Sequence, residues 1–154
     1  MVTNYHCIRK ITYPSFQAII VNSDERFKMN ILVVDDEERI RSVFVKIMQR
    51  EGFHVFEASN VKDAYDLLLE NSLDLILLDI NMMDVDGTVL YEIAQMFCKK
   101  SKIIVTSVYP IEDQKRLIRG AADYYDKSDS LQVLIHKVHR LMEKSLNEAQ
   151  STSV

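Results

Sequence analysis

From Met29 onward, short apolar runs alternate regularly with amphipathic stretches. Ile31-Leu32-Val33-Val34 is wholly apolar and rich in β-branched residues, the pattern of a strand buried on both faces. Ile40, Val43, Phe44, Ile47 and Met48 then form an i, i+3, i+4, i+7, i+8 stripe, which predicts a helix over 38–51 ending at Gly52. His54–Ala58 reads as the next strand. Asn60 is placed to cap a helix that turns Val61, Ala64, Tyr65 and Leu68 inward. Leu73–Leu78 is a second buried strand, ending at Asp79. The helix at Thr88–Phe97 has Val89, Leu90, Ile93, Ala94 and Phe97 on its apolar side. Ile103-Ile104-Val105 is another buried strand, ending at Thr106. Pro110 suits the first turn of a helix carrying Ile111, Leu117 and Ile118, which Gly120 closes. Asp123–Asp126 is a short strand before Lys127. The last helix runs from about Ser130 to Leu146, with Leu131, Leu134, Val138, Leu141 and Met142 inward, and a frayed polar tail follows at 147–154. Residues 1–28 lack a sustained period. Phe16–Val21 fits one strand, and 22–26 a polar loop.

Five strands alternating with five helices predict an α/β fold: a doubly wound, five-stranded parallel sheet, covered by helices on both faces and joined by right-handed crossovers. In such sheets, ligands bind outside the carboxyl ends of the strands. The chain divides into an extension (1–28), one domain (29–146) and the tail. The extension is read as an over-called translation start, a disordered arm or a partner-binding segment.

With 154 residues, 47% hydrophobic and 27% charged, a single packed core is expected and general disorder is excluded. The net charge of -4 argues against a generic nucleic-acid binder. The imbalance is local: residues 1–28 carry +2 and the remainder -6. No apolar run approaches the ~18 residues that span a bilayer, so no membrane partner is expected. Cys7 and Cys98 have no metal-ligand spacing and are expected to be inert. A cytoplasmic location follows from this reading.

The chemistry gathers at the strand ends. Asp35 and Asp36 follow the first strand, Asp79 the third, Thr106 and Ser107 the fourth, and Lys127 the fifth. Neighbouring carboxylates ~4 Å apart repel by about 4 kcal/mol at an effective dielectric near 20. Lys127 supplies one balancing charge. A hard divalent ion with oxygen ligands, Mg²⁺ above all, fits the rest. Neither a histidine nor a cysteine accompanies these residues, so the available chemistry is attack by a carboxylate on phosphorus. This points to phosphotransfer onto Asp79, with Thr106 bonding a phosphoryl oxygen.

These residues, in this order, resemble the receiver domains of two-component response regulators. Ile31–Glu37 (ILVVDDE) is similar to that family's first strand and acidic pair. Leu75–Asp79 (LILLD) with Asp86-Gly87 resembles its phosphoacceptor strand and loop. Thr106, Lys127 and Gly120–Tyr124 (GAADY) fall where the family keeps its hydroxyl, its lysine and the approach to strand five. The resemblance implies a flavodoxin-like sheet in the order 2-1-3-4-5. It implies that Asp79 takes a phosphoryl group from a sensor histidine kinase or a histidine phosphotransfer protein. Asp36, Asp79 and the Asn81 backbone carbonyl would ligate Mg²⁺, with Asp35 helping through water. Lys127 would pair with the phosphoryl group, Thr106 would turn inward, and Tyr124 would swing from exposed to buried. The output would be a protein target docking on the fourth helix, fifth strand and fifth helix, without direct DNA binding.

Two positions depart from the family. Its proline four residues after the phosphoacceptor is Met83 here, and its Lys-Pro at strand five is Lys127-Ser128. A cis bond before a non-proline residue costs roughly 2.5–4 kcal/mol, so this peptide is expected to be trans or strained. The missing prolines leave a second reading open, a receiver-fold adaptor that binds a partner without switching. A third, an aspartyl-nucleophile hydrolase, would want a second acid at position 81, which is Asn81. Asp84 and Asp86 read as loop and turn residues, Met82 and Met83 as loop packing, Tyr125 as core, and Ser107 as a weak second phosphate contact. His136 and His139 read as a solvated helix face.

Overall fold

The computed structural model describes residues 29–83 and 87–151. Five strands, β1 (Asn30–Val34), β2 (His54–Ala58), β3 (Leu75–Asp79), β4 (Lys102–Ser107) and β5 (Asp123–Asp126), alternate with five helices. The helices are α1 (Glu38–Arg50), α2 (Val61–Glu70), α3 (Gly87–Phe97), α4 (Ile111–Leu117) and α5 (Leu131–Ser151). The sheet order is β2-β1-β3-β4-β5, and every pair is parallel.

Side chains alternate across the sheet, so each central strand feeds two cores. Ile31, Val33, Leu75, Leu77, Ile104 and Tyr125 face Phe44 and Met48 of α1 and Leu134, Val138 and Met142 of α5. Leu32, Val34, Ile76 and Leu78 face Ala64 and Leu68 of α2 and Leu90 and Ala94 of α3. A third, smaller cluster of Ile80, Val105 and Ile118, with Tyr91 and Tyr124 against it, lies beside α4. Removing about a dozen large apolar side chains from water at ~1.5–3 kcal/mol each provides the main drive for the layered packing.

Local signals place the ends. Asn60 accepts the Asp63 N–H at 2.8 Å and donates to the Asp63 carboxylate at 2.7 Å, a reciprocal cap on α2. Gly52 ends α1 with φ +93°, where a Cβ would be strained.

Several expectations are corrected. β3 begins at Leu75, because Ser72 to Asp74 serve as the entry to the strand: Ser72 accepts from Asn30 Nδ2, and Asp74 from the Asn30 backbone N–H. α5 continues past Leu146 to Ser151, so the first residues of the expected tail are helical. Extension of a helix already nucleated by packed turns needs only ordinary helix formers. Val43, Val89, Phe97 and Leu117 were expected inward but are exposed. In α4 the inward position is taken by Gln114, with Ile118 just beyond the helix end. The Lys127-Ser128 peptide is trans, one of the two outcomes expected for it. The strand expected at Phe16–Val21, Cys7, and the loop residues Asp84 and Asp86 lie outside the described residues.

Candidate functional site

The register brings the strand ends together. Val34 pairs with Leu78, and Asp79 with Thr106, so Asp35, Asp79 and Thr106 emerge on one rim. Asp35, Asp79, Thr106 and Ser107 are buried, Asp36 is half-buried, and the Lys127 side chain is 8% exposed. Three oxygens, one from each of Asp35, Asp36 and Asp79, lie within 4.8 Å of one another.

Lys127 Nζ sits between two of these acids, 2.7 Å from Asp79 Oδ2 and 2.8 Å from Asp35 Oδ2. Burial alone would weaken its charge, but Asp35 and Asp79 outweigh it and hold the ammonium above its ordinary value. For Asp35 burial dominates and raises the carboxyl, with Lys127 pulling the other way and Asp79 adding to the rise. The trans peptide therefore does not keep Lys127 out of the site: its backbone N–H donates to the Ser107 carbonyl at 2.7 Å, which anchors the residue beside β4.

Backbone donors hold the acids. Asp35 Oδ1 accepts the Glu37 N–H at 2.9 Å, just ahead of α1. Arg41, which pairs with Glu57, donates to the Asp35 carbonyl. Asp79 Oδ1 accepts the Asn81 N–H at 2.9 Å, and Asp36 Oδ2 accepts the Met83 N–H at 2.9 Å. Ser107 Oγ donates to Asn81 Oδ1 and accepts the Tyr109 N–H at 3.0 Å, joining the β3–α3 and β4–α4 loops. Gly87 packs against the rim so tightly that an added Cβ would lie 2.2 Å from the Asp79 carbonyl oxygen.

This donor set suits a hard cation. All the candidate side-chain ligands are carboxylate oxygens, and Lys127 is paired with Asp35 and Asp79 but not with Asp36. Asp35 Oδ2 is buried, and its partner is the Lys127 ammonium 2.8 Å away. Mg²⁺ prefers a few carboxylates and retained waters, and this cluster supplies the carboxylates.

All the expected site residues lie at or beside this rim except Tyr124. Tyr124 is half-buried on β5, and its hydroxyl donates to the Ile118 carbonyl at 2.8 Å. Tyr125 is core, as expected. Met82 packs on the second core, but Met83 is 93% exposed rather than packed. Ser107 bridges two loops. The solvated-face reading of His139 is corrected: the ring is buried beside Phe53, and Nε2 lies 2.7 Å from Glu51 Oε2. Burial pushes the Cys98 thiol above its ordinary value, away from reactive thiolate. Gln114 went unrecognised in the sequence. It is fully buried, and Nε2 donates to the Tyr109 carbonyl at 2.7 Å and the Tyr125 carbonyl at 3.1 Å, tying the β4–α4 loop to β5. Only its place at i+3 from Ile111 and i−4 from Ile118 hinted at this.

Comparison with known proteins agrees with this geometry. The family described as "Response regulator receiver domain" matches residues 31–139. The chain is 34% identical over 127 residues to the transcriptional regulatory protein SrrA of Staphylococcus aureus, a match covering 80% of this chain and 50% of that protein. It thus spans about half the length of the curated relatives it matches. A CheY-like receiver domain protein from Methanospirillum hungatei superposes with a TM-score of 0.73 at 25% identity, covering 79% of this chain and 98% of that one. The response regulator TrrA of Thermotoga maritima, solved in complex with Mg(2+)-BeF, gives 0.67 at 31% identity over 73% of this chain and 98% of that one. By family match, sheet order and identity, the chain belongs to the response regulator receiver domains of two-component systems.

Proposed function

We propose that Asp79 accepts a phosphoryl group from a phosphohistidine, on a sensor histidine kinase or a histidine phosphotransfer protein, in a Mg²⁺-dependent reaction. The observation that carries this reading is the buried Asp79 carboxylate, with Lys127 2.7 Å from Oδ2 and the Asp35 and Asp36 oxygens gathered beside it. An Asp79 oxygen attacks phosphorus, a new O–P bond forms, and the P–N bond to imidazole breaks, its electron pair leaving with the ring. Lys127 pairs with the phosphoryl oxygens, and the Thr106 hydroxyl donates to one of them. Asp35, Asp36, Asp79 and the Asn81 carbonyl would hold Mg²⁺, which when bound supplies neutralising charge to the phosphoryl oxygens. The chain's own catalysis is limited to its phosphorylation and dephosphorylation.

The readout proposed is a docking surface on α4, β5 and α5, binding a protein target rather than DNA. Exposed Leu117 on α4 and Val133 on α5, with Val108 and Tyr109 exposed in the loop leading into α4, support it. Rearrangement of Thr106 and Tyr124 would alter that surface. We place the activity of this domain in the cytoplasm, where a phosphohistidine donor of this kind would meet it; among the described residues no helix is long and apolar enough to cross a membrane.

Incubation with acetyl phosphate and Mg²⁺, followed by intact mass measurement, tests the reading. One added phosphoryl group is expected for the wild type and none for Asp79→Asn. A wild-type protein that gains nothing refutes phosphotransfer. The non-switching adaptor is the second reading, favoured by the Met83 N–H already engaging Asp36. It predicts no Mg²⁺ binding, or binding indifferent to Asp36→Ala.

A further inference from the structure

The two adjacent acids are held in different ways. Asp35 is buried and paired with Lys127. Asp36 is half-buried and reaches across the cleft, where Oδ2 accepts the Met83 backbone N–H at 2.9 Å. That donor lies 47 residues away in the chain, in the β3–α3 loop. A proline at position 83 has no N–H and could not make this bond. The Met83 side chain, 93% exposed, contributes almost no packing at this point of the loop, so the backbone bond is what ties Met83 itself to the β1 side of the cleft.

We infer that the Met83 N–H is a positioning donor that latches the start of the β3–α3 loop onto Asp36, and that a divalent cation entering the acidic cluster weakens the latch. This rests on reading Asp35, Asp36 and Asp79 as the Mg²⁺ site. The physical reason is competition for one carboxylate. An ionised carboxylate offers two oxygens and about four lone-pair positions, so both partners can reach it. Each partner nevertheless withdraws negative charge from the other, and two positive partners in one small cleft repel. A bound divalent ion is the larger local charge and prevails. The loop that carries Asn81 at one end and Met83 further along thereby senses the cation twice. A residue without an N–H at 83 leaves Asp36 free for the cation, tightening Mg²⁺ binding on the order of three- to tenfold, as expected when a charge-assisted hydrogen bond is removed from competition.

Proton–nitrogen correlation spectra of the full chain, titrated with MgCl₂ at neutral pH, test this. In the free protein the Met83 amide proton should lie downfield and be protected from exchange. Saturating Mg²⁺ should move it upfield and shorten its exchange lifetime, and Asp36→Ala should reproduce both changes without Mg²⁺. If the Asn81 and Thr106 amides respond to Mg²⁺ while Met83 does not, or if Asp36→Ala leaves the Met83 amide where it was, the latch is wrong and the metal site stands. If no amide responds to Mg²⁺, the metal-site reading falls and takes the latch with it. Mg²⁺ affinity compared between Met83→Ala, which keeps the N–H, and Met83→Pro, which removes it, gives the second measure. Tighter binding in the proline variant supports the latch, and equal or weaker binding overturns it.

Discussion

Lys127 separates two kinds of buried charge at the site. Replacing it by methionine leaves Asp35 and Asp79 buried with no cation, and removal of one partner from a buried ion pair typically costs about 3–5 kcal/mol. Urea denaturation of Lys127→Met at neutral pH should show a loss of that order, smaller at pH 4, where protonation relieves Asp35, whose carboxyl burial raises. Asp35→Asn should do the reverse. Burial raises the Asp35 carboxyl above 3.8 despite Lys127. An acid whose value is higher folded than unfolded binds its proton more tightly when folded, so its ionisation erodes stability as pH rises from 3.8 through the folded value. The asparagine variant should therefore lack this pH dependence, so that its melting temperature relative to wild type rises from pH 4 to pH 7; Lys127 remains paired with Asp79 in that variant. Lys127 itself has the opposite dependence. Its raised value adds stability below 10.5, which is lost as pH rises through the folded value.

At the scale of elements, the start of α3 is tightly packed on β3. Gly87 starts α3 against the backbone that carries Asp79, and an added Cβ would meet both the Asp79 carbonyl oxygen and Ile80 Cα, the latter at 2.7 Å. These are backbone atoms and cannot move aside as a flexible side chain would. Gly87→Ala should cost roughly 1–3 kcal/mol in chemical denaturation and lower the rate of Asp79 phosphorylation by acetyl phosphate. A variant as stable and reactive as wild type would show that α3 can shift outward freely. Gln114 illustrates a different kind of element-level constraint. Its amide bridges the Tyr109 and Tyr125 carbonyls, so the short α4 is positioned by polar contacts to the loop and strand on either side as well as by Ile118. Periodicity alone assigned Leu117 to the interior because it ranks residues by hydropathy, whereas a helix of this length has only one inward line, already filled.

For the whole molecule, cation binding and folding are linked. A ligand that binds only the folded chain stabilises it by RT ln(1 + [L]/Kd), about 1.4 kcal/mol at ten times Kd. Thermal melts in Mg²⁺ should rise accordingly, rise further when beryllofluoride is added as a phosphoryl mimic, and show little response in Asp36→Ala. Equal shifts in wild type and Asp36→Ala would place the cation elsewhere.

The sequence by itself determined the alternation of strands and helices, the doubly wound class and the residues at the carboxyl ends, because hydrophobic periodicity and chain order are local properties and parallel crossovers leave few topologies. It also marked Met83 and Ser128 as the two departures from the family pattern. Tertiary structure alone decided what those departures do. Position 128 leaves a trans peptide that still delivers Lys127 to Asp79, and position 83 supplies an N–H that reaches Asp36. The burial of His139 against Glu51, and of Gln114 between two carbonyls, likewise depends on partners distant in sequence or lying outside their own helices. Polar pairing of this kind leaves no periodic trace, since a hydrogen bond is set by the position of the second partner and not by the residue type of the first.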